Sequence, residues 1–217
     1  MKLFSHLNEL IFPQRCLGCG VLGASLCLRC RVEWNPRARP IHFENLTVVA
    51  SVEYSQVAQK VILAAKESRI KSADLIVRDA ILYSYFQAID ILHIHSDAIS
   101  LVPIPSQVAA IRKRGRDLNS QIASEIAEKV GVKFLPILRH RRKVRDQSTL
   151  NKVERWNNLN GSLVVDISDG ARPPARVLLI DDLVTTGATL NEAARALRYA
   201  GFEVIGAVTA AIAKPLR

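Results

Sequence analysis

Two hydrophobic periods alternate along the chain. Leu46 to Val52 is short and β-branched, which predicts a buried strand, whereas Ser55 to Lys66 and Ala73 to Leu92 repeat apolar residues every three or four positions, the period of an amphipathic helix. Ile99 to Ile104 predicts a second buried strand, punctuated by Pro103 and Pro105. A basic turn follows, then a helix around Leu118 to Val130 with Ile122, Ile126 and Val130 on one face. Further strands are predicted at Val132 to Leu138, Leu163 to Asp166, Val177 to Ile180 and Val204 to Val208, and an Ala-rich helix at Leu190 to Ala200. Strands alternating with helices predict an α/β fold, a mostly parallel sheet covered on both faces, with ligands at the strands' carboxyl ends. At the start, Leu3, Leu7, Leu10 and Ile11 fall at helical spacing, but His6, Asn8 and Glu9 interrupt any apolar block. Met1 to Ile11 therefore predicts a short packed helix, not a secretory signal.

Composition narrows the class. Of 217 residues, 49% are hydrophobic and 23% charged, which is enough apolar material for a packed core and excludes a disordered chain. No apolar run reaches the roughly 18 residues of a spanning helix, so no membrane insertion is expected. The net charge is +10, and it is concentrated: residues 101–160 hold 13 Lys or Arg against 5 Asp or Glu. Such a field attracts a polyphosphorylated small molecule, a nucleic acid or an anionic surface, or is simply a solvated basic face.

Four cysteines fall within fifteen residues, Cys16, Cys19, Cys27 and Cys30, in the spacing C-x2-C-x7-C-x2-C. Each C-x2-C turn can present two thiolates to one tetrahedral ion, and zinc is the leading reading. An iron–sulfur cluster, two disulfides and four unrelated thiols are the alternatives. The absence of a secretory segment predicts a reducing, cytoplasmic setting in which disulfides are disfavoured. Four sulfur ligands leave no open position for chemistry, so a structural role is expected. Pro36 and Pro40 bracket a polar linker, which divides the chain into a head, 1–40, and a body, 41–217. Within the body, Arg139 to Asn160 is long, polar and basic between two predicted strands, the mark of a functional lid or a disordered segment.

The strongest chemical signal runs from Arg176 to Thr189. A buried strand leads into Asp181 and Asp182, then Thr185, Thr186, Gly187, Ala188 and Thr189 at the start of a helix. Backbone N–H groups at a helix N-terminus, with threonine hydroxyls beside them, suit a phosphate, and Gly187 permits its close approach. The adjacent carboxylates are pure acceptors and suit the hydroxyls of a ribose next to that phosphate. No Lys follows Gly187, so this is not a Walker A loop.

The run Leu179 to Leu190 resembles the phosphoribosyl pyrophosphate (PRPP) signature of type I phosphoribosyltransferases. With the four-Cys head, Val102-Pro103-Ile104-Pro105 and Arg114-Gly115, the whole chain resembles the ComF/GntX family of competence-type proteins. Gln147, Leu150, Arg155, Asn158 and Gly161 fall in the order that family carries in its lid. The resemblance implies a type I phosphoribosyltransferase-like fold behind a zinc-binding head, with PRPP and Mg²⁺ as ligands. It also implies a glycosyltransferase reaction of nucleoside metabolism at Asp181 and Asp182, with pyrophosphate displaced by a base or amine. Cations expected to face pyrophosphate are Lys66, Arg112, Arg114 and Arg116, with Lys113 in the same turn and Arg141 and Arg142 in the lid. One position departs from the family: after Arg114-Gly115 an aromatic residue is usual, and here Arg116-Asp117-Leu118 follows, with Asn119 and Gln121 displaced. Two functions fit these features. One is an enzyme transferring a phosphoribosyl group; the other is a non-catalytic accessory factor for DNA uptake, whose pocket senses a nucleotide while head and lid contact DNA.

Overall fold

The structure is a computed structural model that describes residues 14–68, 70–94, 99–141, 161–167, 173 and 175–213. The predicted helix at Met1–Ile11 and most of the lid, including Arg142, Gln147, Leu150, Arg155 and Asn158, lie outside the described residues.

The head carries a short helix, α1 (Leu28–Glu33), which the sequence reading did not anticipate. Where a linker was expected, Arg39–Phe43 forms strand β1, paired antiparallel with β2 (Leu46–Glu53). Helix α2 (Gln56–Glu67) begins where the Ser55 side chain accepts from Ala58 N, and it buries Val57, Ala58, Val61, Ile62 and Ala65 as one stripe. Helix α3 (Lys71–Ile91) and strand β3 (Ile99–Pro103) follow. The basic turn after Pro105 is itself helical, α4 (Val108–Arg114); its last turn holds Arg112, Lys113 and Arg114, and Gly115, at φ 73, ends it. Asp117 then caps α5 (Leu118–Val130) by accepting from Ser120 N.

The single strand expected over Val132–Leu138 is two. Strand β4 (Lys133–Phe134) pairs with β3, while β5 (Leu138–His140) turns away and pairs antiparallel with β6 (Leu163–Val165) in a separate two-stranded sheet. Pro136 between them removes a ladder donor, which explains the break. Strand β7 (Arg176–Val184), helix α6 (Ala188–Tyr199) and strand β8 (Glu203–Ile212) complete the described chain.

The main sheet has the order β1-β2-β8-β7-β3-β4, parallel throughout except for β1. Apolar residues of α2, α3 and α5 pack with Leu178, Ile180 and Val208 in one core, and Leu190, Ala193, Ala194 and Leu197 of α6 pack with Val48, Leu179 and Ala207 in another. The mixed α/β architecture, with a mostly parallel sheet between helices, is as expected. The head does not stand apart, since Cys16, Leu26, Cys30 and Trp34 belong to the same core as Val57 and Val61 of α2.

Candidate functional site

From β3 the chain continues outward to β4, and from β7 it continues the other way to β8. Between strands that diverge in this manner, the carboxyl ends of a parallel sheet leave a crevice. Ile104 N still donates to Ile180 O, but β3 has ended, and Asp181 on β7 has its strand partner only on the other side, at Thr209 of β8. Asp181 and Asp182 thus lie inside β7, not beyond it, and both are buried.

Each acid has a specific partner. Lys66, in the last turn of α2, reaches Asp182 Oδ2 at 2.6 Å. Burial opposes its charge, but Asp182 and Asp181 outweigh burial and raise the lysine above its ordinary pKa. Asp181 Oδ1 accepts from Asp182 N at 2.9 Å and from Asn119 Nδ2 at 2.8 Å. Burial, joined by the neighbouring Asp182 carboxylate, pushes the Asp181 carboxyl up to about 7 against the pull of Lys66 and these two hydrogen bonds. Two adjacent buried carboxyls sharing one lysine form a strongly acceptor-rich site.

Immediately after β7, exposed Thr185 and half-buried Thr186 lead to Gly187, which is at φ 74 and opens α6. A Cβ at Gly187 would lie 2.5 Å from Phe43 Cδ1, so the β1–β2 turn packs against this loop and only glycine fits. Thr186 Oγ1 accepts from Ala188 N at 3.4 Å, and Ala188 and Thr189 form the first turn of the helix.

The predicted cations divide. Lys66 joins the acids. Arg114 Nε and Lys113 Nζ both reach the Glu67 carboxylate, at 3.0 and 3.1 Å, fastening α4 to the end of α2 beside Lys66. Arg116 turns inward to Asp74 of α3 and to the Ala65 carbonyl of α2. The residue at the departing position thus ties two helix ends together, and the Ala65 carbonyl is one that α2 leaves without an intrahelical donor. Arg112 is exposed and has no ion-pair partner among the described residues. Arg141 lines a different cavity, of about 450 Å³, with Arg195 and Tyr199 between β6 and α6. Behind the site, His140 Nε2 donates to Pro105 O at 3.0 Å while its Nδ1 accepts from Gln107 Nε2 at 3.3 Å, which fastens β5 to the turn after β3.

Asn119 is the site residue that the sequence reading did not select. Asp117, which accepts from Ser106 N and Ser106 Oγ, closes the loop around α4 and caps α5. The next turn then delivers Asn119 to Asp181. The available signal was the Asp-x-x-Ser cap, which fixes the phase of α5 and with it the inward direction of Asn119.

In the head, the sulfur atoms of Cys16, Cys19, Cys27 and Cys30 all lie within 4.8 Å of one another, and Cys19 and Cys27 are 3.6 Å apart. A tetrahedral zinc with bonds of about 2.3 Å separates its sulfurs by about 3.8 Å, so the four ligands fit one such ion. Burial opposes the Cys16 thiolate, but backbone N–H groups of Cys27, Cys19 and Gly18 outweigh it and bring its pKa to about 6. Burial and the neighbouring thiols push Cys30 up to about 12. Gly18 is required by close approach: a Cβ there would lie 2.6 Å from Cys30 Sγ, and its carbonyl accepts from Lys60 Nζ of α2 at 2.8 Å.

Residues 104–216, which span the turn after β3, the acid pair and the threonine loop, match the phosphoribosyl transferase domain family. The chain belongs to that family. Competence protein F of Haemophilus influenzae is 28% identical to this chain over 107 residues, covering 49% of it and 47% of the relative. Competence protein ComFC of Streptococcus pneumoniae is 38% identical over 76 residues, 35% of this chain and 33% of that one. An adenine phosphoribosyltransferase of Albidiferax ferrireducens is 34% identical over 103 residues, 46% and 48% of the two chains. The chain therefore spans a third to about half the length of these relatives. The competence relatives and the four-Cys cluster bear out the ComF-type recognition made from the motifs.

Proposed function

We propose that this chain binds PRPP together with Mg²⁺ and moves a phosphoribosyl group to or from a nitrogen base or amine. The observation that carries the reading is a buried acid pair running without interruption into a threonine–glycine loop that opens a helix. The free oxygens of Asp181 and Asp182 accept the ribose hydroxyls. Backbone N–H groups of Gly187, Ala188 and Thr189, with the hydroxyls of Thr185, Thr186 and Thr189, receive the 5-phosphate. In the transfer, the C1–O bond to pyrophosphate breaks with its electron pair leaving on oxygen, a C1–N bond forms, and the nitrogen loses a proton. Lys66 is the cation nearest the acids, held 2.6 Å from Asp182, and with Arg112 and Arg114 it offsets charge growing on the pyrophosphate. Bound together with PRPP, Mg²⁺ would supply positive charge that stabilises the departing pyrophosphate beside Lys66. The head, 1–40, holds one structural zinc through its four cysteines, and 41–217 forms the transferase body.

Thermal melting tests this. PRPP with Mg²⁺ at about 100 times its dissociation constant contributes on the order of 2.7 kcal/mol, a rise of roughly 5–11 °C for a chain of this size. The double variant Asp181→Asn, Asp182→Asn should lose the rise, and full retention would overturn the ribose assignment. A screen of bases and amines for pyrophosphate release from PRPP then identifies the acceptor.

The names of the two competence relatives favour a second reading, an accessory factor that senses a nucleotide and contacts DNA. It requires DNA affinity that falls steeply with salt, and replacing Arg112 and Arg141 with Ala should flatten the log–log slope by up to about 2. PRPP binding without measurable DNA binding removes it.

A further inference from the structure

Asn119 sits in the first turn of α5 and is 7% exposed. Its Nδ2 is fully employed, donating to Asp181 Oδ1 at 2.8 Å and to Ile104 O at 3.2 Å. Its Oδ1 is buried and has no hydrogen-bond partner. Ile104 O can only accept and Asp181 Oδ1 already accepts from Asp182 N, so reversing the amide would set Oδ1 against two acceptors and not satisfy it. Buried carbonyl oxygens are nearly always paired, and one left open on the amide that holds the Asp181 carboxyl marks where a donor is received.

We infer that Asn119 is a specificity-determining residue of the acid site, with Nδ2 fixing the Asp181 carboxylate and Oδ1 accepting an O–H or N–H group of a bound sugar phosphate. The inference rests on the sugar phosphate reading above and adds a third acceptor to the two aspartates. Ribose hydroxyls are donors that such a triad can hold, and a ligand lacking one of them leaves an acceptor unpaired. The groups acting on Asp181 are Asp182 of its own strand, Lys66 of α2, Asn119 of α5 and, across the ladder, the neutral Thr209 of β8. An N–H donor favours the ionised carboxyl, so removing Asn119 raises the pH at which Asp181 becomes an acceptor for both hydroxyls.

Calorimetric titration with ribose 5-phosphate from pH 5 to pH 9 tests this on the full chain, with melting curves as the check on folding. Asn119→Ala should weaken binding by about 10–100-fold and move its pH midpoint upward. Asn119→Asp, nearly isosteric and well placed in the first turn of a helix, keeps an acceptor but sets a third carboxyl beside Asp181, so its midpoint should rise further. Either folded variant binding with the parent's affinity and midpoint overturns the role of Asn119 and leaves the proposed function standing. A parent chain that binds neither ribose 5-phosphate nor PRPP with Mg²⁺ overturns both.

Discussion

Asp181 costs the fold stability that its position at the site demands. A carboxyl whose pKa rises on folding binds its proton more tightly in the native chain than in the unfolded one. Stability contributed by this residue therefore falls as pH climbs from about 4, the ordinary aspartate range, to about 7, and is constant above that. Asp181→Asn keeps the shape and the hydrogen bond to Asn119 while removing the buried charge. Urea denaturation of both proteins should show the stability of the parent relative to the variant falling across this window, with the variant about 1–3 kcal/mol more stable at neutral pH. A difference between parent and variant that does not change across the same window would mean that Asp181 is ionised at lower pH than its surroundings imply. On the proposed function the same substitution should weaken ribose binding, so stability and ligand affinity would move in opposite directions at one side chain.

At the scale of elements, α2 links the two candidate sites. Its first turns pack Val57 and Val61 with Cys30 and receive Gly18 O on Lys60, and its last turn presents Lys66 to Asp182. Cys27→Ser should remove the zinc, lower stability by about 3 kcal/mol, or roughly 6–12 °C, and also shrink the melting shift given by PRPP. Elemental analysis and melting curves check this, and unchanged melting in metal-free protein would show that the cluster carries no structural ion. Helices with strong apolar stripes and caps were legible in the sequence: Ser55 and Asp117 mark the starts of α2 and α5, and the strand–acid–threonine run located the loop before α6. Less legible were elements whose reason is tertiary. β1 is a polar edge strand, α1 starts from Cys27 and carries Cys30 within it, and Arg116 reads as a surface cation until α2 and α3 converge on it. Asn119 is one polar residue in an amphipathic helix, and nothing local shows that β3 ends beside it.

Over the whole molecule, β8 is the strand that joins the halves of the sheet. It separates β2 from β7, and Ser51 Oγ of β2 donates to Ala210 O of β8 across 159 residues of sequence. At Gly206 a Cβ would lie 2.9 Å from the Thr47 carbonyl oxygen and 2.7 Å from Leu92, so Gly206→Ala must push β8 from β2 and from the end of α3. An expected loss of about 1–3 kcal/mol, read from denaturant midpoints, checks this junction, and an unchanged midpoint would mean that the strands separate without cost.

The position of β8 also sets an order of events in time. Until it docks, β1 and β2 have one edge unpaired and β7 has another, and both edges are apolar and ready to accept any extended chain. Contacts of such sequence separation are slow to form, because the entropy of closing the intervening loop is lost before the ladder rewards it. During synthesis the four-cysteine head and the α2–α3 pair emerge long before their sheet can close. The nascent protein therefore passes through a stage in which its four cysteines are available to meet while the crevice beside Asp181 does not yet exist, and it is in this interval that the chain is most exposed to aggregation.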